Sequence, residues 1–265
     1  MWVESRLNDD IQQNFLVEAA LCEEKERRFF LHAALGKVVI HNQRVEICEH
    51  ESITRAEMMV HAPLCVFPKV PKVLILEDAY GVVTREALRH NASIDIVMEE
   101  GPSDCARQHF SNTTTALEDP RATLRYGDPV AAIMAAQDES YDIVLLNIKT
   151  DDDAALFEHI RRILSPEGIC IVSSGDLELQ QGEVLHRLQT MAPFFRYLLP
   201  YRTGTRFLPD NGLIFASKKL HPTADIRLQQ ADMLEGLSYY TADVHESAFA
   251  LPAALFQTFR NALKY

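Results

Sequence analysis

Six acidic or amide side chains recur at comparable points of this chain, each just after a short apolar run: Glu77 and Asp78, Glu99 and Glu100, Asp128, and Asn147. Oxygen acceptors at successive strand ends suit a ligand rich in hydroxyls, amines or positive charge. A carboxylate after the second run can accept both hydroxyls of a ribose, and one after the third the exocyclic amine of an adenine. The first turn holds Glu77, Asp78, Ala79 and Tyr80 ahead of Gly81. A dinucleotide fingerprint places glycines there so that backbone can approach a pyrophosphate, which two carboxylates would repel. The pattern therefore points to a nucleoside without phosphates and with positive charge. The competing reading is that acids at strand ends cap the helices that follow.

The elements that must position these residues alternate between strand and helix. Residues 73–76, 94–98, 122–126, 141–146, 168–173 and 213–217 are apolar runs of strand length. A helix is expected over 154–164, then a turn over 165–168. Such alternation predicts an α/β fold with a doubly wound, mostly parallel, Rossmann-like sheet, whose ligand lies beyond the carboxyl ends of the strands. Residues 1–54 differ: strand-like runs near 29–36 and 37–40, with a polar turn at 41–43, predict a small antiparallel β domain ahead of a catalytic domain over 55–265. Helical spacing of Ile53, Ala56, Met59, Val60 and Leu64 predicts a helix over 52–67, with Pro63 near its end.

Composition bounds the function. The 265 residues, 47% hydrophobic, suffice for a full core, and 26 basic against 38 acidic residues give a net charge of −12. That disfavours nucleic acid and anionic membranes as partners and suits a polycation. No apolar run reaches the ~18 residues of a membrane span. The start lacks the basic and apolar stretches of a signal peptide. Five cysteines, Cys22, Cys48, Cys65, Cys105 and Cys170, show no Cys-x-x-Cys spacing, and a reduced cytosolic protein is the expectation.

Four motifs resemble the polyamine aminopropyltransferases, the spermidine synthase family. Glu57-Met58 with His61, Pro63 and Leu64 resembles the family's Glu-Met…His-x-Pro-Leu helix, and residues 73–90 its glycine-rich strand–turn–helix. Asp119, Pro120 and Arg121 followed by Gly127 and Asp128 match its Asp-Pro-Arg…Gly-Asp element, and residues 239–252 its Tyr-Tyr…His-x-x-Ala-Phe-x-Leu-Pro signature. The resemblance implies a β domain on a Rossmann-like domain, a homodimer or homotetramer in the cytoplasm, and transfer of the aminopropyl group of decarboxylated S-adenosylmethionine to putrescine. It implies nucleoside contacts at Glu99, Gly127 and Asp128, with Asp78 and Tyr80 in the first turn, and an amine end at Glu57. The family's aspartates stand at Tyr80 and Asn147 in this alignment, its tyrosine before Glu-Met at Arg55, and a later substrate tyrosine at Arg206.

The reaction has an amine displace a thioether from a sulfonium, so no metal or redox cofactor is expected. The attacking amine, with a pKa of roughly 10, must first lose its proton. Asn147 can accept a hydrogen bond but is no base, so Asp151 is the expected base and Asp152 an amine contact; the alternative for Asp151 to Asp153 is a helix N-cap and first turn. Tyr80 or Tyr240 could turn a ring face to a cation. Glu57 and His61, four apart, read as a core pair rather than metal ligands, and His245 as structural. Two other functions remain open: a non-catalytic relative binding polyamine or nucleoside, and a methyltransferase, against which Glu77 and Asp78 argue.

Overall fold

A computed structural model describes residues 20–32, 35–148, 152–208 and 210–265. The first sheet is an antiparallel meander of β1 (Cys22–Glu24), β2 (Arg27–His32), β3 (Gly36–His41) and β4 (Arg44–Cys48), in that order. Two of its turns have paired positive-φ residues, Lys25/Glu26 and Asn42/Gln43. That is the two-residue hairpin geometry whose twist matches the strands. Both faces of this sheet are covered: Phe29, Val39 and Ile47 join the main core, while Phe30, Val38 and Val45 pack with Leu35 and Leu208. Helix α1 (Glu49–Leu64) follows at once and runs across the 54/55 division.

The second sheet has seven strands: β5 (Lys72–Leu76), β6 (Ser93–Met98), β7 (Ala122–Tyr126), β8 (Tyr141–Leu146), β9 (Leu164–Gly175), β10 (Tyr197–Arg202) and β11 (Gly212–Ser217). Their order is β10-β11-β9-β8-β5-β6-β7, parallel from β9 to β7 and antiparallel at β11 and β10. Alternate residues of β5 face opposite cores, Val73 and Ile75 one way, Leu74 and Leu76 the other. Burial on both faces is why these strands read as unbroken apolar runs. The connecting helices are α2 (Val82–Ala87), α3 (Asp104–His109), α4 (Pro129–Ala135), α5 (Ala154–Ile163) and α6 (Gln181–Met191); α7 (Ala242–Ala248) lies in the carboxyl-terminal segment. The chain builds β5, β6 and β7 outward on one side, then returns to set β8 on the other side of β5. That reversal is where an open α/β sheet places its ligand.

Two expectations are corrected. The turn over 165–168 is instead the start of β9, with the ladder to β8 shifting register between Tyr141 and Ile143. The five cysteines are not all free thiols: Cys22 and Cys105 form a disulfide, Cα atoms 6.1 Å apart, which ties β1 to α3. The partners lie 83 residues apart, a separation no local spacing reveals. Cys48, Cys65 and Cys170 are free and buried. Among the described residues no helix is long and apolar enough to cross a membrane.

Candidate active site

Beyond the carboxyl ends of β5 and β8 the chain makes one tight junction. The turn residue Glu77 has φ +66°, a left-handed conformation that costs a side-chain-bearing residue roughly 1–2 kcal/mol. Three bonds hold it there. Its N–H donates to Val97 O at 2.9 Å, its carbonyl accepts from Asn147 Nδ2 at 2.7 Å, and Oε1 accepts the Glu99 N–H at 2.6 Å. The turn thus ties the ends of three neighbouring strands together. Burial is the main cause that raises the pKa of Glu77; the Glu99 N–H opposes it, and the carboxylates of Glu99 and Glu100 add to it.

Gly81 closes the turn at φ +69°, and a Cβ there would lie 2.3 Å from Thr113 O, so a larger residue would have to displace backbone. Asp78, 4% exposed, turns back onto the start of α2 and accepts from the N–H groups of Val83 and Thr84 at 3.3 and 2.7 Å. Burial lifts its pKa to about 6 against those bonds.

Two cavities meet at this turn, sharing Glu46, Glu77, Ala79 and Tyr80. The larger, about 710 Å³, opens beyond β6 and is lined by Glu99, Glu100, Gly101 and Tyr126. The Glu99 carboxylate has no hydrogen-bond or ion-pair partner among the described residues, and Glu100 meets only Lys25, at 3.4 Å on the surface. Tyr80 stands between the cavities, its ring edge-on to Phe110 at 5.3 Å. Burial foremost, with the Glu46 carboxylate beside it, pushes the Tyr80 phenol well above its usual pKa.

The smaller cavity, about 370 Å³, lies between α1 and the ends of β5 and β8. Its acids are largely committed. Glu46 is held by Arg27 Nε at 2.8 and 3.1 Å, and Asp78 by backbone. Arg55 reaches in from α1, and its Nη1 donates to Asn147 Oδ1 at 2.7 Å. Both ends of the Asn147 amide are therefore spent on protein. Asp210 Oδ2 approaches Arg55 Nη2 only to 4.0 Å. Burial lowers the Arg55 pKa, and Asp210 acts in the opposite direction.

Several candidate residues stand elsewhere than expected. Glu57, expected at the amine end, is fully buried and accepts the N–H groups of Ser238, Tyr239 and Tyr240 at 2.7, 2.8 and 2.8 Å. Its carboxylate welds the helix motif to the carboxyl-terminal signature. Arg206 is exposed, lines neither cavity, and uses its backbone N–H on Glu51, which also accepts from Phe207 and Leu208. Asp152 lines neither cavity and is bound by Arg187 Nε at 2.5 Å, the same arginine that holds the carbonyl of Ser173 in the wall of the smaller cavity. Asp153 caps α5 through Ala155 N. Asp128 caps α4, accepting from Val130 N at 2.8 Å, and the Gly127 N–H is spent on Met98 O.

Asp151 lies outside the described residues. Tyr240 is buried and bonded to His245 Nδ1 at 2.9 Å, so its ring is unavailable to a ligand. His61 pairs with His90 at 2.8 Å while Glu57 points to residues 238–240, so the two do not converge on a metal. Sequence reasoning marks Arg55 only as standing where the resemblance places a tyrosine, and that exchange of an aromatic phenol for a guanidinium two residues before Glu57 is the visible signal.

Comparisons with known proteins identify the family and the fold. The model of the spermine/spermidine synthase domain matches residues 52–228. Polyamine aminopropyltransferase of Salmonella typhi is 29% identical over 278 residues, covering 96% of both chains. Spermidine synthase 2 of Arabidopsis thaliana is 28% identical over 246 residues, covering 84% of this chain and 72% of its own. The crystal structure of spermidine synthase from Thermotoga maritima superposes with a TM-score of 0.82 at 20% identity, over 91% of this chain and 86% of that one, which shows the shared fold. With two thirds of its length inside the domain match, the chain belongs to the spermine/spermidine synthase family.

Proposed function

We propose that the protein transfers the aminopropyl group of decarboxylated S-adenosylmethionine to an amine acceptor, with putrescine giving spermidine and methylthioadenosine. The observation that carries this is the pair of cavities meeting at the turn of Glu77, one with the unpartnered Glu99 carboxylate and one sized for a small amine. The larger cavity takes the nucleoside, with Glu99 in its wall accepting the ribose hydroxyls; Asp128, just past β7 and outside that wall, accepts the adenine amine through the oxygen not bonded to Val130. The sulfonium lies at the junction, where the Glu77 carboxylate complements its charge. The acceptor nitrogen attacks the methylene next to sulfur, the C–S bond breaks, and the neutral thioether leaves. The proton shed by the amine goes to Asp151, the carboxylate we assign as base.

Neither a metal nor a redox group enters this balance. The relatives named above are polyamine enzymes, which supports the assignment. We also place the protein in the cytoplasm as a homo-oligomer. The three free buried thiols agree with that setting, and the Cys22–Cys105 bridge runs against it. Purified protein incubated with decarboxylated S-adenosylmethionine and diamines, read by mass spectrometry, should yield methylthioadenosine and aminopropylated product in equal amounts. Absence of both, with methylthioadenosine still bound in calorimetry, would leave a nucleoside-binding relative without transferase activity.

A further inference from the structure

The reaction with a diamine leaves one feature of the acceptor cavity without a task, the guanidinium of Arg55. Its side chain is 13% exposed and forms part of the cavity wall. One nitrogen is fixed by the neutral Asn147 amide, and Asp210 stands at the outer limit of an ion pair. A guanidinium has five N–H donors in a planar fork, so donors remain for a ligand. Arg44 is a second basic residue in the same wall. Of the acids in this wall, Glu46 is spent on Arg27 and Asp78 on the start of α2, and Asp210 stands beside Arg55 itself, at 4.0 Å. Glu77 sits at the junction, nearer the sulfonium than the far end. A dication would set its second charge near Arg55 with only Asp210 to answer it, whereas a carboxylate there would meet a preformed partner held by packing and an amide.

We propose that the acceptor cavity takes, besides a diamine, a short aliphatic amine whose other end is a carboxylate, and that Arg55 is the residue that binds this carboxylate. The inference rests on the aminopropyl-transfer reading of the larger cavity. The chemistry is unchanged. The deprotonated amine nitrogen forms the new N–C bond, the C–S electron pair stays on sulfur, and the amine proton passes to the base. The carboxylate of the acceptor stays ionised and takes no part in bond making.

The test uses acceptors of similar length that differ at one end: 5-aminopentanoate against cadaverine, and 4-aminobutyrate against putrescine. Each is assayed with saturating decarboxylated S-adenosylmethionine by mass spectrometry. The expected result is transfer to the aminocarboxylates with kcat/KM at least equal to that of the matched diamine. Arg55→Gln should shift the ratio at least tenfold toward the diamine, mainly through KM for the aminocarboxylate. Because that variant removes a nearly buried group, Arg55→Lys is run beside it. A lysine keeps the charge without the fork and should shift the ratio less.

Transfer to diamines alone, with no competition by 5-aminopentanoate in the unmodified protein, overturns the inference and leaves the transferase reading intact. An unchanged ratio in a folded Arg55→Gln variant also overturns it. Transfer to no acceptor at all, with methylthioadenosine bound, removes the transferase reading and this inference with it.

Discussion

Beyond β6 the Glu99 carboxylate lines its cavity with no partner of its own, while beyond β5 and β8 the acids are tied to arginine or backbone and a guanidinium stands among them. The two cavities share Glu46, Glu77, Ala79 and Tyr80 and lie on one sheet edge. The difference lies in what each acid does before a ligand arrives. A free carboxylate is solvated until substrate displaces the water, so its full hydrogen-bonding capacity is available for recognition. An acid already accepting two or three N–H groups holds the scaffold and has little left to offer. Residue type at a strand end does not tell these cases apart; only the neighbours do.

The largest effect should come from the base. Asp151→Asn is expected to lower turnover by the ~10²–10⁴ typical of losing a general base while methylthioadenosine affinity is kept. Full turnover in that variant would move the base to the junction, at Glu77, and so blur the division between the cavities.

Next is Glu57→Gln. Replacing a buried acceptor of three backbone N–H groups by an amide that brings its own donors should cost about 3 kcal/mol or more of stability. Denaturant melts would read this. A raised acceptor KM with unchanged stability would return Glu57 to the cleft.

Glu99→Ala should weaken methylthioadenosine binding about tenfold or more, the scale of losing a charged hydrogen bond. Asp128→Ala should weaken it less and cost the α4 cap besides, about 1 kcal/mol. Equal affinities for the unmodified protein and the Glu99 variant would make the free carboxylate a solvated bystander.

The smallest effect concerns pH. The folded pKa of Asp78, about 6, lies above the usual carboxylate value, so the folded state binds the extra proton. Its contribution to stability therefore falls as pH rises from about 4 to 6 and is level above that. Asp78→Asn keeps an acceptor for the α2 cap and should flatten that slope in melts recorded between pH 4 and 7.

Much of the scaffold was legible because buried strands announce themselves. Residues 122–126 and 141–146 were read to the residue, and the acids at the strand ends were placed on the correct sheet edge. Strand β10 was not read: Pro200 interrupts a short run, and a proline can sit there because the strand is at the sheet edge, its outer side meeting, among the described residues, only Lys264, through Leu198. The family was carried by motifs and holds.

The site was less legible. Glu57 and Arg55 are neighbours in sequence, yet one faces into the core against residues 238–240 and the other into the cavity against Asn147. The Cys22–Cys105 bridge depends on β1 meeting α3, which is a tertiary fact. Counting thiols with a chromogenic disulfide in the unfolded protein, three without reductant against five with it, would check it directly.

The Glu57 clip also bears on how the chain folds. Its donors lie 181 to 183 residues away, so the helix that carries Glu57 has no answer to that carboxylate until the carboxyl-terminal segment arrives. A ribosome-bound or truncated chain ending before Ser238 lacks the three N–H donors that this fully buried carboxylate accepts in the folded protein. Closure of so long a loop comes late and makes folding slow but cooperative. Helix and tail would then be gained or lost in one step, and a hydrogen-exchange experiment should show α1 and residues 238–240 opening together.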